Sequence, residues 1–145
     1  MVKLGVNTLS FKDLPNYRKA EIWRSNYGKW KSNSLKHLGY FPIFQSFKEE
    51  FLLKDISGNA LKLYLYFGLN SGNMNGETWP SIETIAKYFD KSPRTISYWL
   101  DELEKHNLIK RIQLVPNETA HTFLMTYGNE MLMKKMEKNV DEFKE

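Results

Sequence analysis

The chain has 145 residues, 41% hydrophobic and 26% charged, with a net charge of +4, which is room for one domain with its own core, alone or with an extension. No apolar run approaches the roughly 18–20 residues of a membrane span, and MVKLGVNTLSFKDLPNYRK at the start lacks the apolar core and cleavage site of a signal peptide. The absence of cysteine excludes a disulfide framework and a thiolate metal site, so a cytoplasmic protein without a membrane partner is the expectation.

The charge is unevenly spread. Residues 1–54 hold 10 Lys/Arg against 4 Asp/Glu, a net +6, whereas residues 55–128 (7 against 8) and 129–145 (4 against 5) are each −1. Such asymmetry fits a polyanionic partner as well as it fits a solvated basic surface. The basic third, 1–54, reads as an extension rich in aromatics: Tyr17, Trp23, Tyr27, Trp30, Tyr40, Phe41, Phe44, Phe47 and Phe51. That content is unlike a disordered tail. A helix is expected around Asn16 to Ser25, and Tyr40-Phe41-Pro42 with the following IFQSF favours an extended segment. The rings admit base stacking of the kind single-strand binders use. Packing into a core or an interface is the expectation, because Trp and Tyr carry large apolar areas.

Residues 55–128 form the second region. Ser57 suits the cap of a helix from Gly58 to about Leu69, closed by Asn70-Ser71-Gly72. LKLYLYF (61–67) alternates almost as a strand would, but the cap, Ala60 and the length of the apolar run favour helix. A Gly- and Asn-rich loop leads to Pro80, and Ser81 can cap a short helix through Phe89. After a tight turn at Asp90-Lys91, Ser92-Pro93 opens a further helix: Ser suits the cap and Pro the first turn. Ile96, Trp99, Leu100 and Leu103 lie on one face of it at spacings of three and four. It should stop near His106, where the dipole favours a basic group, with Asn107 in the left-handed position. IKRIQLV (109–115) and HTFLMT (121–126), separated by PNETA, read as a hairpin. Arg111 and Gln113 alternate with Ile112 and Leu114, which predicts a polar face and an apolar one. A C-terminal amphipathic helix, residues 129–145 with its regular part from Asn129 to Phe143, carries Leu132, Met136, Val140 and Phe143 on one stripe.

Helix, short helix, tight turn, helix, hairpin is an order that resembles the winged helix-turn-helix domains of bacterial, phage and plasmid regulators and replication initiators. The likeness covers roughly residues 55–126 and is most specific over 79–111, in WPSIETIAKYF and SPRTISYWLDELEKHNLIKR. Ala86 stands where two helices approach closely, and Ile85, Phe89, Ile96 and Trp99 stand at the positions of the core between them. Asp90 departs from the glycine usual in the turn, mildly, since Asp tolerates the left-handed conformation. The fold class implied is mainly α with a small β-hairpin.

With the apolar stripe inward, Arg94, Thr95, Tyr98 and Asp101 face outward and Ser97 lies at the flank. The resemblance implies that the helix 93–106 is the recognition helix, reading the major groove with its N-terminal turns. Ser92, Arg94, Thr95, Ser97 and Tyr98 are the candidates there. Arg94 suits a guanine edge or a phosphate, and Tyr98 a sugar or a thymine methyl; the carboxylate of Asp101 is read as a marginal or absent contact. Ser81 and Thr84 at the start of the preceding helix, and Lys91 in the turn, are candidates for the backbone. In the hairpin, the wing, the candidates are Lys110, Arg111, Gln113, Asn117 and His121. The net −1 of residues 55–128 makes the +6 segment the expected source of much of the electrostatic attraction.

Three histidines without a ligand-spaced partner offer no metal site, and neither a GxSxG sequence nor a phosphate-cradling glycine loop is present. Nothing points to an enzyme, a cofactor or a small-molecule ligand. The expectation is a sequence-specific double-stranded DNA-binding protein, a transcriptional regulator acting as repressor and working as a homodimer on a palindromic site. Two alternatives are a plasmid or phage replication initiator or accessory factor on origin repeats, and a winged helix used as a protein-interaction module.

Overall fold

A computed structural model describes residues 10–72 and 74–143, with the side chains of these up to Asp141. The chain forms two compact units, divided after Gly39. In the first, a 3-10 turn at Phe11–Asp13 precedes helix α1, Asn16–His37, which runs well past the expected end at Ser25. None of its 22 residues is buried.

The second unit holds α2 (Ser46–Glu49), α3 (Leu52–Asp55), α4 (Gly58–Asn70), β1 (Glu77–Thr78), α5 (Ile82–Phe89), α6 (Pro93–Lys105), β2 (Ile109–Ile112), β3 (His121–Leu124) and α7 (Asn129–Phe143). This is a mainly helical unit with a small antiparallel sheet, the expected winged helix-turn-helix arrangement. The sheet has a third strand that the hairpin reading lacked: β1 pairs with β3, so the order is β1-β3-β2.

LKLYLYF is helical. Ser57 Oγ accepts from Ala60 N–H at 3.1 Å, so α4 is nucleated at its cap, and Leu63, Tyr64 and Phe67 are then carried to one buried side. The same hydroxyl donates to Glu102 Oε2 at 2.8 Å, and Ser57 N–H donates to that oxygen at 3.1 Å. One serine thus starts α4 and ties it to α6. Ile85 and Ala86 of α5, Ile96, Trp99, Leu100 and Leu103 of α6, and Leu108 and Ile109 complete the core with α4. Ala86 is buried between the two helices as expected, and the Phe89 and Trp99 rings meet edge-on, 5.5 Å apart.

The second unit opens at Tyr40, ahead of the region that the sequence reading began at residue 55, because aromatics of 40–50 pack on α4. Phe47 is 2% exposed and stacks on Tyr64 at 5.5 Å; Phe41 meets the Tyr64 edge at 6.1 Å. Phe41 occupies the space that any side chain at Gly68 would need. Tyr127 closes the cluster, its ring 5.4 Å from Phe47 and its hydroxyl accepting from Phe44 N–H at 3.0 Å. Burial, with Tyr127 beside it, pushes the Tyr64 phenol well above its ordinary value. The IFQSF segment is not wholly extended, since Ser46–Glu49 makes a helical turn that presents Phe47 inward. On α7, Leu132, Met136 and Val140 are exposed; the side chain of Phe143, placed on the same stripe by the periodicity, lies outside the described residues, as do residues 1–9 of the basic segment.

Ser57→Ala should lower the stability of the full chain by about 1–2 kcal/mol in urea unfolding, from loss of the cap and of the Glu102 bond together. Glu102→Gln, which keeps an acceptor, should cost less than half of that.

Candidate nucleic-acid interface

The two helices of the turn start alike. At α5, Ser81 Oγ accepts from Thr84 N–H at 3.1 Å and lies 2.9 Å from Thr84 Oγ1. At α6, Ser92 Oγ accepts from Thr95 N–H at 3.2 Å and lies 3.0 Å from Thr95 Oγ1. Ser81-Ile-Glu-Thr84 and Ser92-Pro-Arg-Thr95 are thus one capping device used twice. Asp90 joins the helices with φ 54° and ψ 49°, the left-handed conformation expected of it, and Lys91 N–H returns to Ala86 O at 3.0 Å. Asn107 is left-handed too (φ 56°), with Leu108 N–H bonded to Leu103 O.

Seated this way, α6 turns Arg94 and Tyr98 fully outward, with Thr95 and Ser97 at the margins and Ser92 and Asp101 exposed. Arg94 and Tyr98 act as a unit. Arg94 Nε and Nη2 donate to the Tyr98 hydroxyl at 3.3 and 3.2 Å, with the guanidinium 5.8 Å from the ring centre. An exposed guanidinium held by a neighbour one turn away loses less freedom on meeting a base than a free one does. Ser92 and Ser81 are occupied as caps, and the hydroxyls of Thr95 and Thr84 point at them. The serines therefore contribute helix starts, and the polar reach of α6 comes chiefly from Arg94 and Tyr98.

The wing differs from the sequence reading in its facing. In the register Ile109↔Leu124, Lys110↔Phe123, Arg111↔Thr122 and Ile112↔His121, Ile109 is buried, so Arg111 shares the inner face and Lys110 and Ile112 share the outer one. Arg111 Nη1 donates to Thr122 Oγ1 at 2.7 Å and Nη2 to Pro80 O at 3.2 Å. Burial pulls this guanidinium below the usual arginine value, while Glu104 and Glu83 act in the opposite direction. Arg111 is a tether between the wing and the segment leading into α5, and the polar and apolar faces predicted for the hairpin are interchanged. Ile112, with Leu114 and Val115 beyond the strand, is about half exposed.

His121 is engaged as well: its Nδ1 is 2.7 Å from Glu77 Oε1 on β1, and its ring lies 5.5 Å from that of Trp79. Gln113 Nε2 donates to Glu118 O at 3.0 Å and closes the wing loop, in which Asn117 takes φ 67°. Of the wing candidates, Lys110 and Asn117 are exposed and make no side-chain hydrogen bond among the described residues, and Lys91 in the turn is exposed likewise. Trp79, 61% exposed beside His121, escaped the sequence reading; its place just before a capped helix was the available signal. Equally unsignalled is a cavity of about 810 Å³ between the aromatic cluster and α7, walled by Phe41, Phe44, Tyr64, Leu124, Tyr127 and Leu132.

A family model described as a helix-turn-helix domain matches residues 54–109, from the end of α3 to the first residue of β2. Among solved structures, a MarR-like transcriptional regulator from Thermotoga maritima aligns over 89% of this chain and 82% of its own, with 20% identity and a TM-score of 0.43. No curated protein matches the sequence. No cluster of three or more His, Asp or Glu able to hold a metal occurs among the described residues, and none of their helices is long and apolar enough to cross a membrane.

The inward and outward basic residues of β2 should separate cleanly. Arg111→Ala should lower unfolding free energy by about 1–2 kcal/mol, leaving Thr122 and Pro80 O without their donor, whereas Lys110→Ala should stay within about 0.5 kcal/mol of the parent chain.

Proposed function

We propose that the protein reads a specific duplex site with α6 in the major groove and acts as a transcriptional repressor by occupying a promoter, a reading supported by the match of residues 54–109 to a helix-turn-helix domain model. The observation that carries this reading is the Arg94–Tyr98 unit, exposed on the first turns of α6 directly opposite its buried stripe. Arg94 suits a guanine edge, and the exposed Tyr98 ring suits a sugar or a thymine methyl. Ser97 adds a short polar contact at the margin, while Thr95 stays paired with Ser92.

The start of α5 supports the pose. With Thr84 N–H taken by Ser81, the N–H groups of Ile82 and Glu83 have no intrahelical acceptor and suit a phosphate, against the opposing charge of the Glu83 side chain in the same turn. Lys91 and Lys110 supply phosphate contacts on either side of α6, and Asn117 reaches from the wing tip. Arg111, His121 and Gln113 serve the interface indirectly, by fixing the wing. The residues around α6 carry Glu83, Asp90 and Asp101 beside Lys87, Lys91 and Arg94, so non-specific attraction rests largely on the +6 of residues 1–54. Two copies joined through the exposed α7 stripe would match a two-fold symmetric site.

Selection of bound duplexes from a random library, followed by titration of the selected site, tests this. Arg94→Ala should weaken the selected site by about 1–3 kcal/mol and relax the preference at one base pair. A silent Arg94→Ala with no salt-dependent duplex binding would instead assign the domain to protein contacts. Removing residues 1–36 should lower affinity for all duplexes and flatten the dependence of log K on log salt, since several phosphate contacts disappear at once. Mapping the selected sequence to a promoter supports repression; mapping it to iterated origin repeats would transfer the same chemistry to replication initiation.

A further inference from the structure

Helix α1 is about 33 Å long at 1.5 Å per residue, and none of its side chains is buried. Tyr17, Trp23, Tyr27 and Trp30 are 60–65% exposed. At 100° per residue, Ala20, Trp23, Tyr27, Trp30 and Ser34 fall on a single stripe. The rings make a row along it: Tyr27 and Trp30 lie 5.6 Å apart, and Phe11 of the preceding turn stands 5.8 Å from Trp23. The rises from Trp23 to Tyr27 and on to Trp30 are about 6 and 4.5 Å. Lys19 flanks the stripe on one side, Arg24 and Lys31 on the other. Six Lys/Arg stand against Glu21 alone in α1, a net +5.

That combination selects the occupant. A second copy of α1 would bring two +5 helices together along flanks that are themselves basic. An interfacial lipid helix buries a broad apolar face and keeps its cations on the opposite one, but here Ile22 and Leu35 point about 100° or more away from the centre of the stripe, which ends in Ala20 and Ser34 and has Lys19, Arg24 and Lys31 at its edges. Phosphates answer the lysines and arginines. Bases answer the rings, provided that their faces are open, and in a duplex those faces are already stacked. We propose that α1 is a binding site for single-stranded nucleic acid, with bases stacking on Trp23, Tyr27 and Trp30 and phosphates held by Lys19, Arg24 and Lys31. This goes beyond duplex recognition by α6 and does not depend on it.

The test is anisotropy titration of the full-length protein with fluorescein-labelled oligo-dT and oligo-U of about 16 nucleotides, beside a duplex of equal length and phosphatidylserine vesicles. Trp23→Leu/Trp30→Leu should weaken oligonucleotide binding by roughly tenfold or more, while Trp23→Phe/Trp30→Phe, which keeps the π-faces, should retain most of it. Both variants should unfold at the parent's urea midpoint, since no α1 side chain is buried, and both should keep the salt slope of duplex binding. Lys19→Gln/Arg24→Gln/Lys31→Gln should reduce the salt slope on oligo-dT by about 2. Arg94→Ala should leave oligonucleotide affinity unchanged, so failure of the duplex reading and failure of this one are separable. Preference for oligo-dT or oligo-U assigns the site to DNA or RNA. The proposal is overturned by absence of oligonucleotide binding, by equal binding of the Leu and parent proteins, by vesicles binding where oligonucleotides do not, or by ring removal converting a dimer to a monomer without touching oligonucleotide affinity.

Discussion

The seating of α6 decides the rest of the winged helix-turn-helix. Ile96, Trp99, Leu100 and Leu103 enter the core formed with α4 and α5, each contributing about 1.5–3 kcal/mol on burial. A helix turns by a fixed angle per residue, so burying that stripe fixes the direction of every other side chain on it. Arg94 and Tyr98 point outward as a consequence of where Trp99 and Leu103 point inward. The helix is also held along its length: Ser92 fixes its start, Glu102 bonds Ser57 at the head of α4, and Asn107 ends it in the left-handed conformation. The side chains on its outer face are therefore held in fixed directions, the restraint that any placed contact with a ligand would need.

Rigidity has consumed part of the polar inventory. Ser81, Thr84, Ser92 and Thr95 look in the sequence like groups available to a ligand, yet the serine oxygens accept from backbone N–H groups and the threonine hydroxyls lie within hydrogen-bond distance of them. Arg111, the natural choice for a phosphate, bonds Thr122 and the carbonyl of Pro80. His121 bonds Glu77. Among the candidate groups, those left without a backbone or capping partner among the described residues are few: the Arg94–Tyr98 unit, Ser97, Lys91, Lys110, Asn117 and the N–H groups of Ile82 and Glu83 at the head of α5. Much of the polar surface around α5, α6 and the wing is thus scaffold.

The legible parts of the sequence were those governed by local rules. A 3.6-residue period placed α6 and α7, the cap and a long apolar run placed α4, a cap placed α5, and the caps Ser57, Ser81 and Ser92 set three starts that the hydrogen bonds bear out. The left-handed Asp90 and Asn107 followed from their short polar side chains. The wing was misread because IKRIQLV breaks its own alternation at Lys110-Arg111. Phase taken from Ile112 and Leu114 puts Arg111 outside, whereas phase taken from Ile109, which continues directly from the buried Leu108, puts it inside. In a strand of four residues only tertiary burial chooses between them. Strand β1 has two residues and no period at all. The boundary at 39 depended on Phe41 and Phe47 finding Gly68 and Tyr64 some 20 residues away, a contact invisible to any local pattern.

Composition treated residues 17–51 as one aromatic segment, and burial divides it in two. Phe41 and Phe47 go to the core and contribute to stability there. Tyr17, Trp23, Tyr27 and Trp30 contribute none, because α1 buries nothing. The helix gains little from its own sequence either: it contains Gly28 and several Ser and Asn residues, which are poor helix formers, and Arg18–Glu21 is its one ion pair among the described residues. Lys29 and Lys36 stand on one side and Arg24 and Lys31 on another, without carboxylates to offset them. A helix of this length and composition is marginal in water by itself, and its like charges repel most when salt is low. A polyanion laid along it would remove that repulsion and cover the rings in the same event, so binding there would be coupled to helix stability, whereas α6 is already held by its core stripe and its caps.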